Sequence, residues 1–244
     1  TIDEDVLRRD FTINALYYDP LQEQVIDYVG GMRDIKKHVL RPVIDIDKIF
    51  VEDPVRMLRA IKYSATTHAK MSFSLRHKIR QSAILLSQIS PSRLTEEMLK
   101  IINSGHAFEI IKEALDTDLY MYLQPAATAM IYNDKNAEKS YMENIAKLDE
   151  LVKNDSNVRL GKKLYFLVYD FIKSLTDWSK EVQGQYSSYE LYTKTWTECR
   201  NFVLPMNPQR KELEYAIKSV LSSFGVKIKT NKPKEPKPKD SKQK

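Results

Sequence analysis

From about residue 50 onward, apolar residues recur at intervals of three and four almost without a break, the spacing of helices with one buried face. The pattern predicts a helix that starts at Asp53, then helices near 74–87, 92–104, 106–116, 137–153, 158–175, 186–203 and 208–223. Leu58, Ile61 and Ala65 run down one side of the first. Leu94, Met98, Ile101 and Ile102 stripe the third, with Ser92 as its expected cap. Leu160, Leu164, Leu167, Val168, Phe171 and Ile172 mark a largely buried helix. Before residue 50 the pattern is mixed. Leu7, Phe11 and Ala15 predict a helix within residues 1–16, whereas Tyr17-Tyr18 and Gln24–Tyr28, joined by Asp19–Glu23, predict a hairpin of aromatic and β-branched strands. Val39–Val43 reads as a last strand. The expected class is α+β, mainly α, and there is no internal repeat.

Asp53 before Pro54 has the marks of a helix start, a capping acid followed by proline where its missing N–H removes no bond. From there Asp53, Arg56 and Arg59 recur every three residues on one side. A carboxylate only accepts hydrogen bonds and a guanidinium only donates them, so the pair can meet a flat edge that alternates donor and acceptor. The Watson–Crick edge of adenine is such an edge. A capping acid with a surface ion pair is the plainer account, and the helix alone does not choose.

Other stretches carry candidate chemistry. Arg9, Asp10 and Asn14 set a cation, an acceptor and an amide near one another, a set suited to ribose and phosphate or simply to a solvated helix. Gly30-Gly31 permits positive φ and close backbone approach. Asp45-Ile46-Asp47 has the spacing of a metal-holding carboxylate pair but reads as linker and cap. Trp178, Trp196 and the tyrosines between 165 and 196 offer faces for bases, although their helical spacing favours core packing. Arg210 and Lys211 after Pro208 form a modest basic cluster, a candidate RNA contact.

Arg8-Arg9-Asp10-Phe11-Thr12-Ile13-Asn14-Ala15-Leu16, then Asp27-Tyr28-Val29-Gly30-Gly31-Met32-Arg33-Asp34, then Glu52-Asp53-Pro54-Val55-Arg56-Met57-Leu58-Arg59-Ala60 resemble in order and spacing motifs B, C and D of the bacterial class II nucleotidyltransferases. That family comprises poly(A) polymerases and tRNA CCA-adding enzymes. Pro91–Lys100 resembles its motif E, so the likeness covers about residues 1–110. Ile13–Tyr18 and Tyr28–Met32 are worded more like the poly(A) polymerase branch. The resemblance implies nucleotide binding by Arg9, Asp10, Asn14, Asp53, Arg56 and Arg59. It implies that Asp27, Gly30, Gly31, Asp34, Glu52, Arg93 and Glu97 shape the pocket. In the family, the carboxylates that hold Mg2+ precede motif B, which places them upstream of Thr1. No catalytic or metal-binding residue is therefore expected within this chain, which is expected to be a fragment or a processed form and inactive alone.

Charge sharpens the division of the 244 residues. Residues 227–244 hold eight lysines against Glu235 and Asp240, which equals the whole net charge of +6 and leaves the preceding body balanced. This Lys-Pro tail is expected to be disordered, with Lys227, Lys229, Lys232 and Lys234 attracting RNA phosphates. The expected division is an incomplete head at 1–44, a helical neck at 45–117 that reads the nucleobase, a helical body at 118–226, and the tail. No apolar run spans a membrane, and a single cysteine excludes an intrachain disulfide. The expectation is a cytoplasmic monomer that transfers AMP from ATP to RNA 3′ ends, as in mRNA processing. A CCA-adding enzyme and a non-catalytic RNA-binding remnant are the alternatives.

Overall fold

The N-terminal quarter is held by short elements that lean on one helix. The computed structural model describes residues 2–226 and 228. Thr1, before which the metal carboxylates are expected, and the predicted basic tail with Lys227, Lys229, Lys232 and Lys234 lie outside the described residues. Helix α1 (Ile2–Arg8) is followed by a single 3-10 turn, Thr12–Asn14. Strands β1 (Leu16–Asp19) and β2 (Gln24–Asp27) form the expected antiparallel hairpin, with Tyr17 opposite Ile26 and Tyr18 opposite Val25. Next come α2 (Gly31–Lys37), β3 (Val39–Leu40) and α3 (Ile49–Glu52), then α4 (Arg56–Thr67). β4 (Lys70–Met71) pairs with β3 in parallel.

The expected helix across residues 1–16 stops at Arg8. Asp10 and Phe11 are drawn out to pair with the segment after β3: the Val43 N–H donates to the Asp10 carbonyl at 3.2 Å, and the Thr12 N–H to that of Arg41 at 2.9 Å. Phe11 and Ala15 are buried, while Leu7, the third member of the predicted stripe, is exposed. Non-local pairing has overridden the local period. The predicted strand 39–43 is likewise shortened to two residues plus a bridge from Pro42 to Phe11.

The remaining elements are helices: α5 (Phe73–Ser82), α6 (Pro91–Ile102), α7 (Ala107–Asp116), α8 (Tyr120–Leu123), α9 (Pro125–Asn133), α10 (Lys135–Asn154), α11 (Leu160–Ser174), α12 (Lys180–Gln185), α13 (Ser188–Phe202) and α14 (Arg210–Ser223). The cap of α6 is Ser90, with Pro91 in the first turn, and not Ser92. α8, α9 and α12 are too short or too uniformly apolar to show a period, as Tyr-Met-Tyr-Leu of α8 illustrates. One apolar cluster runs from Phe11 through α4, α7, α10 and α11 to Val226. Cys199 is buried in it, and burial pushes its thiol pKa up, which leaves it a packing residue. Among the described residues no helix is long and apolar enough to cross a membrane.

Candidate nucleotide-binding site

The acid and guanidinium face of α4 is anchored by the burial of its opposite side, where Met57, Leu58, Ala60 and Ile61 are all within the core. Regular helix begins at Arg56, three residues after the predicted start. The first turn is tighter, with Arg56 N–H bonded to the Asp53 carbonyl at 3.0 Å and Met57 N–H to that of Pro54 at 3.1 Å. Asp53 still satisfies a free donor there, accepting the Val55 N–H through Oδ1 at 3.1 Å. Its Oδ2 accepts from Arg93 at 2.7 Å and lies 3.9 Å from Arg59.

Arg56 is spent on the structure to a degree the spacing did not foretell. Its side chain is only 9% exposed and donates to Asp10 at 3.0 Å, Glu52 at 3.0 Å, and the carbonyls of Ile49 and Arg8. Four of the five guanidinium hydrogens are thereby used. Arg59 contacts both Asp10 oxygens through one nitrogen, at 3.0 and 3.4 Å. Burial alone would lower the Arg59 pKa, but Asp10, Glu97 and Asp53 outweigh it and raise it. Asp10 thus joins the N-terminal segment to α4 through two guanidinium groups.

The other predicted residues divide by position. Asn14 turns inward on the chain, its oxygen accepting the Phe11 N–H at 3.1 Å. Arg9 is exposed and directed to Asp5 at 3.0 Å, over the Tyr17 ring, apart from the Asp10 network. Glu97 is buried and paired with Lys100 at 2.7 Å. Arg210 is exposed on α14, where it pairs with Glu214 and covers Trp196, and Lys211 beside it is exposed. Trp178 stacks on Phe224 as a packing residue.

Asp27 and the glycines build one turn. Asp27 accepts the N–H groups of Val29, Gly30, Gly31 and Met32 at 2.8–3.2 Å. Gly30 has φ +80°, and a Cβ on Gly31 would lie 2.2 Å from the Thr12 carbonyl oxygen. Asp34, buried one turn on, accepts from the Thr12 hydroxyl at 2.6 Å and from Arg41 at 2.8 Å. Thr12 and Arg41 escaped the sequence reading; Arg41 next to Pro42, at a strand that ends, was the available signal.

Burial alone would raise the Asp27 pKa, but the four N–H groups hold it below the ordinary carboxylate range. The unfolded chain therefore binds this proton more readily, so the contribution of Asp27 to stability is present above pH ~4 and lost as pH falls through the folded value. Urea midpoints measured from pH 6 downward are expected to fall less steeply for Asp27→Asn than for the wild type.

Among the described residues no three His, Cys, Asp or Glu side chains converge to hold a metal ion. Asp45 accepts the Asp47 N–H, and Asp47 pairs with Lys78. These residues do not fit a magnesium site. The metal-holding carboxylates that the resemblance sets before Thr1 lie outside the described residues, which begin at Ile2.

A small β-segment is thus locked by an aspartate onto an Asp/Arg helix, with helices throughout the remainder. Solved structures agree on the fold: a Thermotoga maritima CCA-adding enzyme complexed with tRNA aligns with a TM-score of 0.55 at 22% identity, over 97% of this chain and 63% of that one. A CCA-adding enzyme complexed with ATP gives 0.56 at 22% identity, over 92% and 60%. Residues 1–41 match the family described as "Poly A polymerase head domain", and residues 70–131 match "Probable RNA and SrmB- binding site of polymerase A". Poly(A) polymerase I of Salmonella typhi is 40% identical over 157 residues, 64% of this chain and 33% of that protein. The CCA-adding enzyme of Lactobacillus helveticus is 38% identical over 118 residues, 48% and 29% of the two chains. Over these segments the chain is similar to poly(A) polymerases and CCA-adding nucleotidyltransferases. It spans about one third of the length of the curated relatives it matches.

Proposed function

We propose that the whole protein is a polynucleotide adenylyltransferase that adds AMP from ATP to RNA 3′ ends without a template, as a cytoplasmic monomer acting in mRNA processing. The observation that carries the proposal is the meeting of three family-like segments on α4: Asp10 on Arg56 and Arg59, and Arg93 on Asp53. The higher identity and coverage of the poly(A) polymerase I relatives support this branch.

In this reading Asp53 accepts from the adenine amino group and a neighbouring guanidinium donates to the ring nitrogen. Arg56 can donate through its one uncommitted N–H, or by releasing Glu52, its most exposed partner at 54%. Arg59 and Arg9 face phosphates, and Arg93 and Glu97 position the helix. Asp10 and Asn14 act on the nucleotide through the residues they hold, and Asp27, Gly30, Gly31 and Asp34 keep the adjoining turn in shape. Residues 1–44 serve as part of a head, 45–117 as a neck, 118–226 as a body, and Arg210, Lys211 and the tail lysines Lys227, Lys229, Lys232 and Lys234 as RNA contacts. Magnesium is held by carboxylates of the whole protein that precede Thr1.

Cytosine offers the same donor beside an acceptor, whereas guanine and uracil invert it. The Asp/guanidinium edge therefore rejects GTP and UTP but does not by itself divide ATP from CTP, which keeps CCA addition as the second reading. Primer extension with the full-length gene product, magnesium, an unstructured RNA and each triphosphate separately tests both. Long ladders with ATP alone are expected; short additions that need CTP would favour the second reading, and no extension a binding protein. Asp53→Ala is expected to reduce selection of ATP over GTP by roughly tenfold, read from competing incorporation.

A further inference from the structure

A cleft of about 300 Å³ opens beyond the C-terminal end of α11, against the first half of α13. These elements contribute nothing to the α4 face. Leu175, Trp178, Tyr186 and Leu191 give the cleft an apolar and largely aromatic wall, and Glu190 and Lys194 line it from α13. The Trp178 ring is fixed in place. Its N–H donates to the Ile172 carbonyl at 3.0 Å, and the ring stacks on Phe224 with 5.4 Å between centroids. Tyr186 is 53% exposed, and its hydroxyl makes no hydrogen bond among the described residues.

Glu190 precedes Lys194 by four residues, the spacing at which an acid and a lysine on one helix usually pair. Here they do not. Glu190 turns back to the cap of α13, where its Oε2 accepts both the N–H and the hydroxyl of Ser187 at 2.8 Å. These bonds hold its pKa below the ordinary value. Lys194 is left exposed, with no ion pair or hydrogen bond among the described residues. An aromatic wall beside a free ammonium is complementary to a planar ring that carries a phosphate. The ring offers its face to the aromatic side chains, and the phosphate meets a point charge that demands no fixed geometry.

We propose that this cleft binds one nucleotide, its base against Trp178 and Tyr186 and its phosphate on Lys194. The nucleotide is either free or one unit of an RNA chain. The second source rests on the proposed function, and the first does not.

Trp178 and Trp196 are the two tryptophans of the 244-residue chain, so Trp196→Phe leaves Trp178 as the sole emitter. In that background AMP or oligo(A) RNA is expected to quench Trp178 emission to saturation. An abasic oligonucleotide of the same length, which has the phosphates without the bases, is expected not to. Adding Tyr186→Ala is expected to weaken binding about tenfold, and Tyr186→Phe to leave it intact, both at an exposed position. Lys194→Met is expected to weaken AMP about tenfold and adenosine not at all. Quenching by AMP and oligo(A) alike assigns a free nucleotide. Quenching by oligo(A) alone, with the salt slope reduced by ~0.7 in Lys194→Met, assigns RNA. Equal quenching by the abasic chain, or none by AMP and oligo(A), would overturn the inference. Anisotropy of labelled oligo(A) then reports separately whether RNA binding, and with it the proposed function, survives.

Discussion

Asp10→Ala is expected to lower the free energy of unfolding by about 3–5 kcal/mol. Asp10 is itself only 8% exposed, and its carboxylate is the shared partner of Arg56 and Arg59. Its removal leaves the nearly buried Arg56 guanidinium with Glu52, which is largely exposed, and with carbonyls that offer no neutralising charge. The loss is therefore that of a buried cation left with a single, largely exposed counter-charge and not of an average surface pair. Urea unfolding followed by circular dichroism measures it. Arg9→Ala, which removes an exposed pair with Asp5 and a contact over the Tyr17 ring one residue away, is expected to lose no more than about 1 kcal/mol. Equal stability of Asp10→Ala and wild type would mean that the segment carrying Asp10 is not fastened to α4 through this carboxylate.

Gly31→Ala is expected to cost about 3 kcal/mol, the upper end of what overpacking usually imposes. The added carbon would stand 2.2 Å from the Thr12 oxygen, 3.0 Å from its carbon and 3.1 Å from Leu16. Because the closest of these is backbone, no rotamer change relieves the clash. Either α2 retreats, which breaks the Gly31 and Met32 bonds to Asp27, or Thr12 moves and strains its bond to Asp34. Asp10 lies two residues before Thr12, so the second route also disturbs the grip on Arg56. Unfolding midpoints and ATP affinity, measured on the same variant, separate the routes: loss of stability alone points to α2, and loss of both points to Thr12.

Most of the helical architecture was legible because each long helix buries one continuous stripe, as α11 does with Leu164, Leu167, Val168 and Ile172. The hairpin was legible for a similar reason, its two strands being bounded by a polar turn. What escaped was structure decided by distant partners. Leu7, Phe11 and Ala15 have helical spacing, yet the pairing of Asp10 and Phe11 with residues 42 and 43 pulls that stretch straight. The two-residue strand Lys70–Met71 has no pattern of its own and exists through β3. At the site, the periodic face of α4 was visible, but the sequence could not show how each charge is used. Asp53, Arg56 and Arg59 look equivalent by spacing, while Arg56 proves buried and Arg59 keeps donors uncommitted. Arg93 was expected to shape the pocket, and it reaches Asp53 directly at 2.7 Å.

The way the first 41 residues are fastened bears on how this protein can be recombined with its relatives. Their attachments do not end at residue 41: Pro42 and Val43 complete the bridge to Phe11, β3 needs β4 at residues 70–71, and Asp10 needs Arg56 and Arg59. A chimera that exchanges this segment at a boundary drawn near residue 41 would sever all of these at once. A junction placed after Met71 keeps them within one parent and leaves the Arg93 contact to Asp53 as a pairing that both parents must supply.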